Sequence, residues 1–161
     1  MTSTQSGVVY SAEVKARAAV IVEEAKTSRS SCRVCRKPIE QNCLRVGVPA
    51  FVSGRLVTAY QHPECFIRNS VEFGEVDSNG AGACKATKRR LRKGELRCIV
   101  QTGNSRFSLS SEAFGLLRPA LSAGMKSSGS KVVKKGAMEK IKGVAKLMDK
   151  QRKQLMGKLK L

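Results

Sequence analysis

Aromatic and acidic residues are both scarce in this sequence. Its 161 residues include no Trp, two Tyr and five Phe, and 12 Asp and Glu stand against 31 Lys and Arg, for a formal net charge of +19. Because few aromatic side chains limit the size of a hydrophobic core, a small module of this composition needs a metal or a partner to stay folded. The excess of positive charge predicts a polyanionic partner.

Other absences exclude whole classes of protein. The sequence has no apolar run of the ~18 residues that a transmembrane helix needs, and residues 1–10 lack the basic start and apolar centre of a signal peptide. We therefore expect an intracellular protein whose six cysteines are thiols or metal ligands rather than disulfides. No glycine-rich nucleotide loop or pair of catalytic carboxylates stands out. We expect no enzyme activity, no small-molecule substrate and no membrane partner.

Four residues form a metal-ligand pattern. Cys32 and Cys35 are separated by two residues, a spacing that lets both sulfurs reach one tetrahedral ion. His62, the only histidine of the chain, precedes Cys65 with the same gap. Three thiolates and one imidazole leave no open position for a catalytic water, so we expect one structural Zn²⁺ that contributes folding energy. A redox pair or ordinary buried thiols are the alternative.

The residues around these ligands resemble the poly(ADP-ribose) polymerase-type zinc finger. The similarity covers residues 22–68 and includes the segment AKTSRSSCRVC, Ile39, the pair Leu44-Arg45 and the closing segment HPECF. In that family the finger is a small antiparallel sheet flanked by helices, and it recognises DNA breaks rather than a base sequence. This chain departs from the family in having no Trp and only 26 residues between the two ligand pairs.

The resemblance also implies roles for residues outside the metal set. Arg29 and Arg45 correspond to arginines that grip the DNA backbone, and Phe51 and Leu56 to an apolar pair that stacks on an exposed terminal base. Arginine suits phosphate oxygens because its donors form a rigid fork. Core packing is the alternative for the apolar pair. The basic residues that we expect to contact phosphates are Lys26, Arg29, Arg45, Arg55, Lys88, Arg89, Arg90 and Arg92.

The second part of the sequence resembles the first at an offset of 52 residues, which aligns Cys32 with Cys84. Near the end the offset is 50, and three of the four ligands are replaced: Cys35 by Thr87, His62 by Glu112 and Cys65 by Gly115. We interpret this part as a degenerate, metal-free repeat of the finger; chance similarity between two basic hairpins is the alternative. Residues 88–93 (KRRLRK) fit a nuclear import signal, a phosphate-binding ridge or a solvated face.

Short patterns indicate the secondary structure. Residues 11–26 carry apolar side chains at helical spacing and predict an amphipathic helix. A second helix, capped by Ser110 or Ser111, runs to about residue 120 and ends at Pro119. Four β-like runs lie between them, at residues 44–48, 56–60, 95–101 and 106–109.

The predicted architecture is α+β: a zinc-stabilised antiparallel-sheet finger with flanking helices, a similar module without zinc, and a basic C-terminal helix or tail. Residues 126–161 have a net charge of +10 and apolar residues near helical spacing. This tail is predicted to bind phosphates or to pack on the body or on another chain. The predicted segments are a flexible N-terminus at 1–10, the finger at 11–73, a linker at 74–83, the second module at 84–122 and the tail at 123–161.

Together these features favour a nuclear DNA-binding protein that recognises strand breaks or ends, in DNA repair or damage signalling. A DNA-containing organelle is the alternative location. The alternative function is a structural RNA-binding component of a ribonucleoprotein particle such as the ribosome, with the finger as a scaffold. A third hypothesis is an adaptor for a separately encoded repair enzyme, because the family's fingers usually precede a catalytic domain.

Overall fold

Two three-stranded antiparallel sheets and a few helices form an α+β structure. The computed structural model describes residues 19–78, 82–103, 105–126 and 136–159. The segment 1–10, predicted to be flexible, lies outside the described residues. Within them, no helix is both long enough and apolar enough to cross a membrane.

The first sheet contains β1 (Ile21–Glu24), β2 (Leu44–Val52) and β3 (Arg55–Gln61), in that order. Both neighbouring pairs are antiparallel. The β2–β3 hairpin closes through Ser53 and Gly54, which both have positive φ, as the two-residue turn that matches strand twist requires. The first two predicted β-like runs are confirmed as the arms of this hairpin.

β1 lies where the sequence predicts the end of a helix at residues 11–26. That prediction is wrong over the described residues, and residues 11–18 lie outside them. Ala19, Val20 and Ile21 are buried, and β1 pairs with β2 along its whole length. Sheet pairing satisfies the backbone and buries β-branched side chains at once, so it overrides the helical spacing of the apolar residues.

The second sheet contains β4 (Val71–Glu75), β5 (Leu96–Thr102) and β6 (Ser105–Ser110), also antiparallel and in that order. β4 starts directly after helix α1 (Pro63–Ser70). The linker predicted at residues 74–83 is therefore wrong at its start, because the strand extends into it. The other two predicted β-like runs are confirmed as β5 and β6.

β6 leads into a 3₁₀ turn (Ser111–Leu116) and then helix α2 (Arg118–Met125). The prediction that Pro119 ends a helix is wrong. Pro119 lies in the first turn of α2, where its missing N–H breaks no helical hydrogen bond. Residues 19–70 are called the first unit below, and residues 71–126 the second unit.

The two units contain the same local turn at an offset of 52 residues. The first knuckle (residues 31–38) and the second knuckle (residues 83–90) each have an antiparallel bridge between their end residues. Left-handed backbone recurs as well, with φ of 65° at Arg36 and 64° at Lys88. Two backbone hydrogen bonds of 2.8–2.9 Å close each knuckle: from Cys32 to Lys37 and from Arg36 to Cys32 in the first, and from Cys84 to Arg89 and from Lys88 to Cys84 in the second.

Beyond the hairpins, matching positions of the two units differ by 48 in residue number, not by the predicted 50. Gln61 is opposite Val46, and Leu109 is opposite Cys98, so the β5–β6 hairpin is four residues shorter than the β2–β3 hairpin. Glu112 and Gly115 therefore lie two residues too far along the chain to match the ligands. The corrected matches are Ser110 for His62 and Ala113 for Cys65.

Both units share one hydrophobic core. Val46 and Phe66 enter it from the first unit, and Phe73 and Phe114 from the second. The rings of Phe73 and Phe114 meet edge to face, with their centroids 5.2 Å apart. Because buried apolar surface is the main stabilising contribution, we expect the two units to depend on each other.

The C-terminal segment (residues 136–159) packs on this core. Only its end forms an α-helix, α3 (Asp149–Leu159), preceded by two short 3₁₀ turns. Of the alternatives predicted for the tail, packing on the body is the one that the described residues show. Residues 127–135 lie outside the described residues. Five apolar side chains are buried: Ile141, Val144, Leu147, Leu155 and Leu159.

A close backbone approach fixes this segment against β4. The Phe73 N–H donates to the Lys142 carbonyl at 2.9 Å. Gly143 has a φ of +85°, and a Cβ built there would lie 1.8 Å from the Phe73 carbonyl oxygen. Glycine is required at this position both for its left-handed backbone and for the missing side chain.

Candidate metal centre

Two segments of the first unit bring the four predicted ligands together. Cys32 and Cys35 lie on the first knuckle, and His62 and Cys65 lie at the junction of β3 and α1. All four ligand atoms are within 4.8 Å of one another. His62 Nδ1 is 3.4 Å from Cys35 Sγ and 4.0 Å from Cys65 Sγ. Tetrahedral bonds of about 2.3 Å to sulfur and about 2.0 Å to nitrogen imply similar separations, so the cluster can hold a metal ion.

The thiols of the cluster influence each other's ionisation. Burial disfavours the Cys32 thiolate, but backbone hydrogen bonds from Cys35 and His62 outweigh burial and lower the pKa of Cys32 to about 6. Burial raises the pKa of Cys65, and the adjacent thiols raise it further, to about 12. One thiolate is thus stabilised and another beside it is disfavoured, since like charges repel at short range. A bound divalent cation removes that repulsion, so this donor set fits a metal.

Little apolar surface supports the first knuckle. Ala25, Cys32 and Ile39 form a small buried cluster separate from the main core, with Tyr60 and Cys65 packed against it. Three small or medium side chains bury too little surface to hold a turn of eight residues by themselves. A metal held by the four ligands would join the knuckle to the start of α1 and supply the missing connection.

The second knuckle has no comparable ligand set. Over the residues that the structure describes, the Cys₃His cluster is the only group of three or more potential metal ligands. Cys84 is fully buried, and its Sγ accepts the Thr87 N–H at 3.5 Å. Burial raises its pKa, but hydrogen bonds from Ser110 and Thr87 outweigh burial and lower the pKa of Cys84 to about 7. Hydrogen bonds therefore link Cys84, Thr87 and Ser110, which occupy the positions of three metal ligands of the first unit.

Arg89 joins the second knuckle to the segment after β6. Its guanidinium lies 2.8 Å from Glu95 Oε2 and 3.1 Å from Glu112 Oε2. The ion pair with Arg89 lowers the pKa of both carboxyl groups. Glu112 also accepts the Ser110 hydroxyl at 3.2 Å. This connection could not be predicted, because its members are separated by up to 23 residues and no local spacing relates them.

The predicted stacking pair lies at the tip of the β2–β3 hairpin. Phe51 and Leu56 are directly opposite each other on the two strands. The exposed fraction is 65% for Phe51 and 41% for Leu56, so the alternative of core packing does not hold. Val52 and Val57 are exposed as well, on the opposite face of the hairpin, because side chains alternate along each strand.

The predicted phosphate-binding residues divide by environment. Arg45 is mostly buried: it donates to Glu23 at 2.8 Å and to Ser30 at 3.1 Å, and its Cζ lies 3.7 Å from the centre of the Tyr60 ring. Arg89 is engaged with two carboxylates, as described above. The other six predicted residues are exposed: Lys26, Arg29, Arg55, Lys88, Arg90 and Arg92.

Comparison with models of protein families finds none that matches this chain, and comparison with curated proteins finds no significant similarity. The resemblance to the poly(ADP-ribose) polymerase-type finger therefore stays a prediction that rests on the residues themselves.

Proposed function

We propose that this protein is a non-enzymatic DNA-binding protein that recognises strand breaks or ends. The observation that carries the proposal is the exposed pair of Phe51 and Leu56 on a hairpin that begins and ends beside the metal cluster. An apolar tip of this kind fits a terminal base pair, which an intact duplex does not expose. Stacking on a base contributes about 1–3 kcal/mol and does not depend on base identity.

Positive charge at both ends of the β2–β3 hairpin supports binding to a polynucleotide. Arg55 adjoins Leu56 in the hairpin, and Lys26 and Arg29 are exposed on the segment between β1 and the first knuckle. We assign phosphate contacts to these three residues before Arg45, because Arg45 would have to give up its ion pair with Glu23. The net charge of +19 adds a non-specific attraction that weakens as salt rises.

In this proposal the Cys₃His cluster holds one structural Zn²⁺, because that donor set and tetrahedral spacing are typical of closed zinc sites. The second unit is a metal-free copy of the first. The recurrence of the knuckle hydrogen bonds and of left-handed backbone at Arg36 and Lys88 supports this interpretation. Nuclear location, a role in DNA repair and recruitment of a separate repair enzyme belong to the same proposal.

Binding to nicked, blunt-ended and closed circular DNA of equal length tests the function. Fluorescence anisotropy at fixed salt should show tighter binding to the nicked and blunt forms. Phe51→Ala should remove most of that preference, about 5- to 100-fold in affinity, while leaving binding to closed circles unchanged. Met148→Ala is the matched control, since Met148 is equally exposed at 65% but lies away from the tip.

Equal affinity for the three DNA forms would refute recognition of ends. Tighter binding to a structured RNA than to every DNA form would instead favour the ribonucleoprotein alternative. The residues and the charge are compatible with both polymers, so the comparison needs DNA and RNA of matched length and charge.

A further inference from the structure

A cleft of about 470 Å³ is lined by residues of both units, and none of the four metal ligands lines it. Its walls come from the first knuckle, from the ends of β3 and α1, from the turn after β5, and from the C-terminal segment. Among the described residues, three cationic side chains line it, Arg33, Arg36 and Lys142, and no acidic one does. Its size is within the usual range for a small-ligand site.

Two buried polar groups in this cleft have no partner among the described residues. The Ser70 hydroxyl donates to Gln61 Oε1 at 3.0 Å, which leaves the Gln61 Nε2 donor unmatched. The Thr102 hydroxyl is unmatched as well. Only 1% of Gln61 and 5% of Thr102 is exposed. A buried donor without a partner is destabilising, so an acceptor bound in the cleft would stabilise both groups.

We propose that this cleft binds a phosphate monoester. The three cations supply charge, while Gln61 Nε2 and the Thr102 hydroxyl are donors for phosphate oxygens at the buried side of the cleft. An apolar or cationic ligand would leave the two donors unmatched and would face three positive charges. Hydrogen bonds to an ionised acceptor are the stronger kind, so an anionic oxygen fits these donors better than a neutral one.

The phosphate has two possible sources, the terminal phosphate of a DNA end or a free mononucleotide. If the phosphate belongs to a DNA end, the inference rests on the proposed function. If it belongs to a free mononucleotide, the inference does not depend on that function. A cleft that joins the two units and the C-terminal segment would also explain why all three are combined in one chain: a terminal phosphate would contact each of them.

Titration of the full-length, zinc-loaded protein with deoxyadenosine 5′-monophosphate and with deoxyadenosine tests the cleft directly. The nucleotide should bind and the nucleoside should not. Thr102→Val keeps the shape of the side chain but removes the hydroxyl, and it should weaken nucleotide binding about tenfold. The same variant should not lower the melting temperature, because the free protein loses no hydrogen bond.

A charge-matched pair separates the cleft from general electrostatics. Lys142→Gln should weaken nucleotide binding severalfold, whereas Lys150→Gln, an equal loss of charge on the exposed face of α3, should not. Equal binding of nucleotide and nucleoside would overturn the proposal, and so would nucleotide affinity that is unchanged in Thr102→Val.

DNA duplexes with 5′-phosphate or 5′-hydroxyl ends distinguish the two sources. A preference for the phosphorylated end that Thr102→Val abolishes assigns the cleft to DNA ends. Nucleotide binding that is lost in Thr102→Val, with no preference between the duplexes, supports the cleft with a free mononucleotide as its ligand. End recognition without any phosphate preference or nucleotide binding would refute the cleft and leave the proposed function standing.

Discussion

The first and second knuckles have the same backbone but are held in place by different means. In the first, Ala25, Cys32 and Ile39 form a buried cluster apart from the main core, next to a Cys₃His set. In the second, Cys84 belongs to the main core itself. Among the described residues, the ligand cluster thus occurs where the turn is isolated from the core, and it is missing where the turn is continuous with the core.

Residues around the second knuckle give it the support that a metal would give the first knuckle. Val76 and Leu91 make the backbone hydrogen bonds that Ala25 and Ile39 make in the first unit, and both are buried. Larger Val in place of Ala adds apolar surface at one of these positions. Arg89, paired with Glu95 and Glu112, then ties the knuckle to the start of the 3₁₀ turn.

Removing the metal should produce the largest difference between the two knuckles. A chelator, or Cys35→Ser, removes a binding free energy of the order of 10 kcal/mol, typical of closed zinc sites. Hydrogen exchange should accelerate strongly at the Arg36 and Ile39 amides and much less at Lys88 and Leu91, whose matching bonds need no metal.

Cys43→Ser is the matched control for this experiment, since Cys43 is exposed and outside the cluster. Metal analysis should find one ion per chain in this control and none in Cys35→Ser. Loss of protection in both knuckles to the same extent would show that the second depends on the metal as much as the first.

The C-terminal segment packs against β4 and the 3₁₀ turn of the second unit, where Gly143 meets the Phe73 carbonyl. Gly143→Ala forces a Cβ against the Phe73 carbonyl and a left-handed backbone on Ala, so we expect a loss of at least about 2 kcal/mol in unfolding free energy. Gly157→Ala, in α3 with open space around it, should instead stabilise by about 0.5–1 kcal/mol. Thermal melts of the two variants moving in the same direction would contradict this.

Acid should affect the two knuckles at different pH. The folded-state pKa of Glu95 lies below its ordinary value of 4.5 because of Arg89, so the stability from this pair is complete above that value and is lost as pH falls through the lowered pKa. Metal ligands must stay deprotonated, so the first knuckle should open at higher pH. The pH at which the Lys88 amide loses its protection from hydrogen exchange should shift in Arg89→Gln and not in Arg90→Gln.

The smallest expected effect is the gain of a second metal site, in the second unit. Thr87→Cys combined with Ala113→Cys places two thiols where Cys35 and Cys65 stand in the first unit, beside Cys84. We expect weak binding of a second metal ion, because three thiolates can hold Zn²⁺ with a water as fourth ligand. Ala86→Cys with Ala113→Cys, one position out of register, should bind none beyond the first. Metal analysis after dialysis distinguishes the two variants.

Local spacing was sufficient for the metal ligands and for four strands. The pairs Cys32/Cys35 and His62/Cys65 are confirmed as one cluster, since a two-residue gap places both side chains of each pair on one side of a turn. β1 and β4 could not be recognised. Helical spacing at residues 11–26 and a Gly in the sequence VEFGE gave no strand signal, and only pairing across the sheets decides these segments.

The sequence alone was sufficient for the two ligand pairs, for the two strand runs of the first hairpin and for the positive charge, because each depends on neighbouring residues or on composition. The exposure of Phe51 and Leu56 was left open and needed the folded structure. Only the tertiary structure decided that Arg45 is committed to Glu23, that Gly143 admits the C-terminal segment, and that Gln61 and Thr102 face one cleft. These contacts join residues far apart in the chain. They form when the two units bury a common core, and no local pattern encodes which side chains that burial brings together.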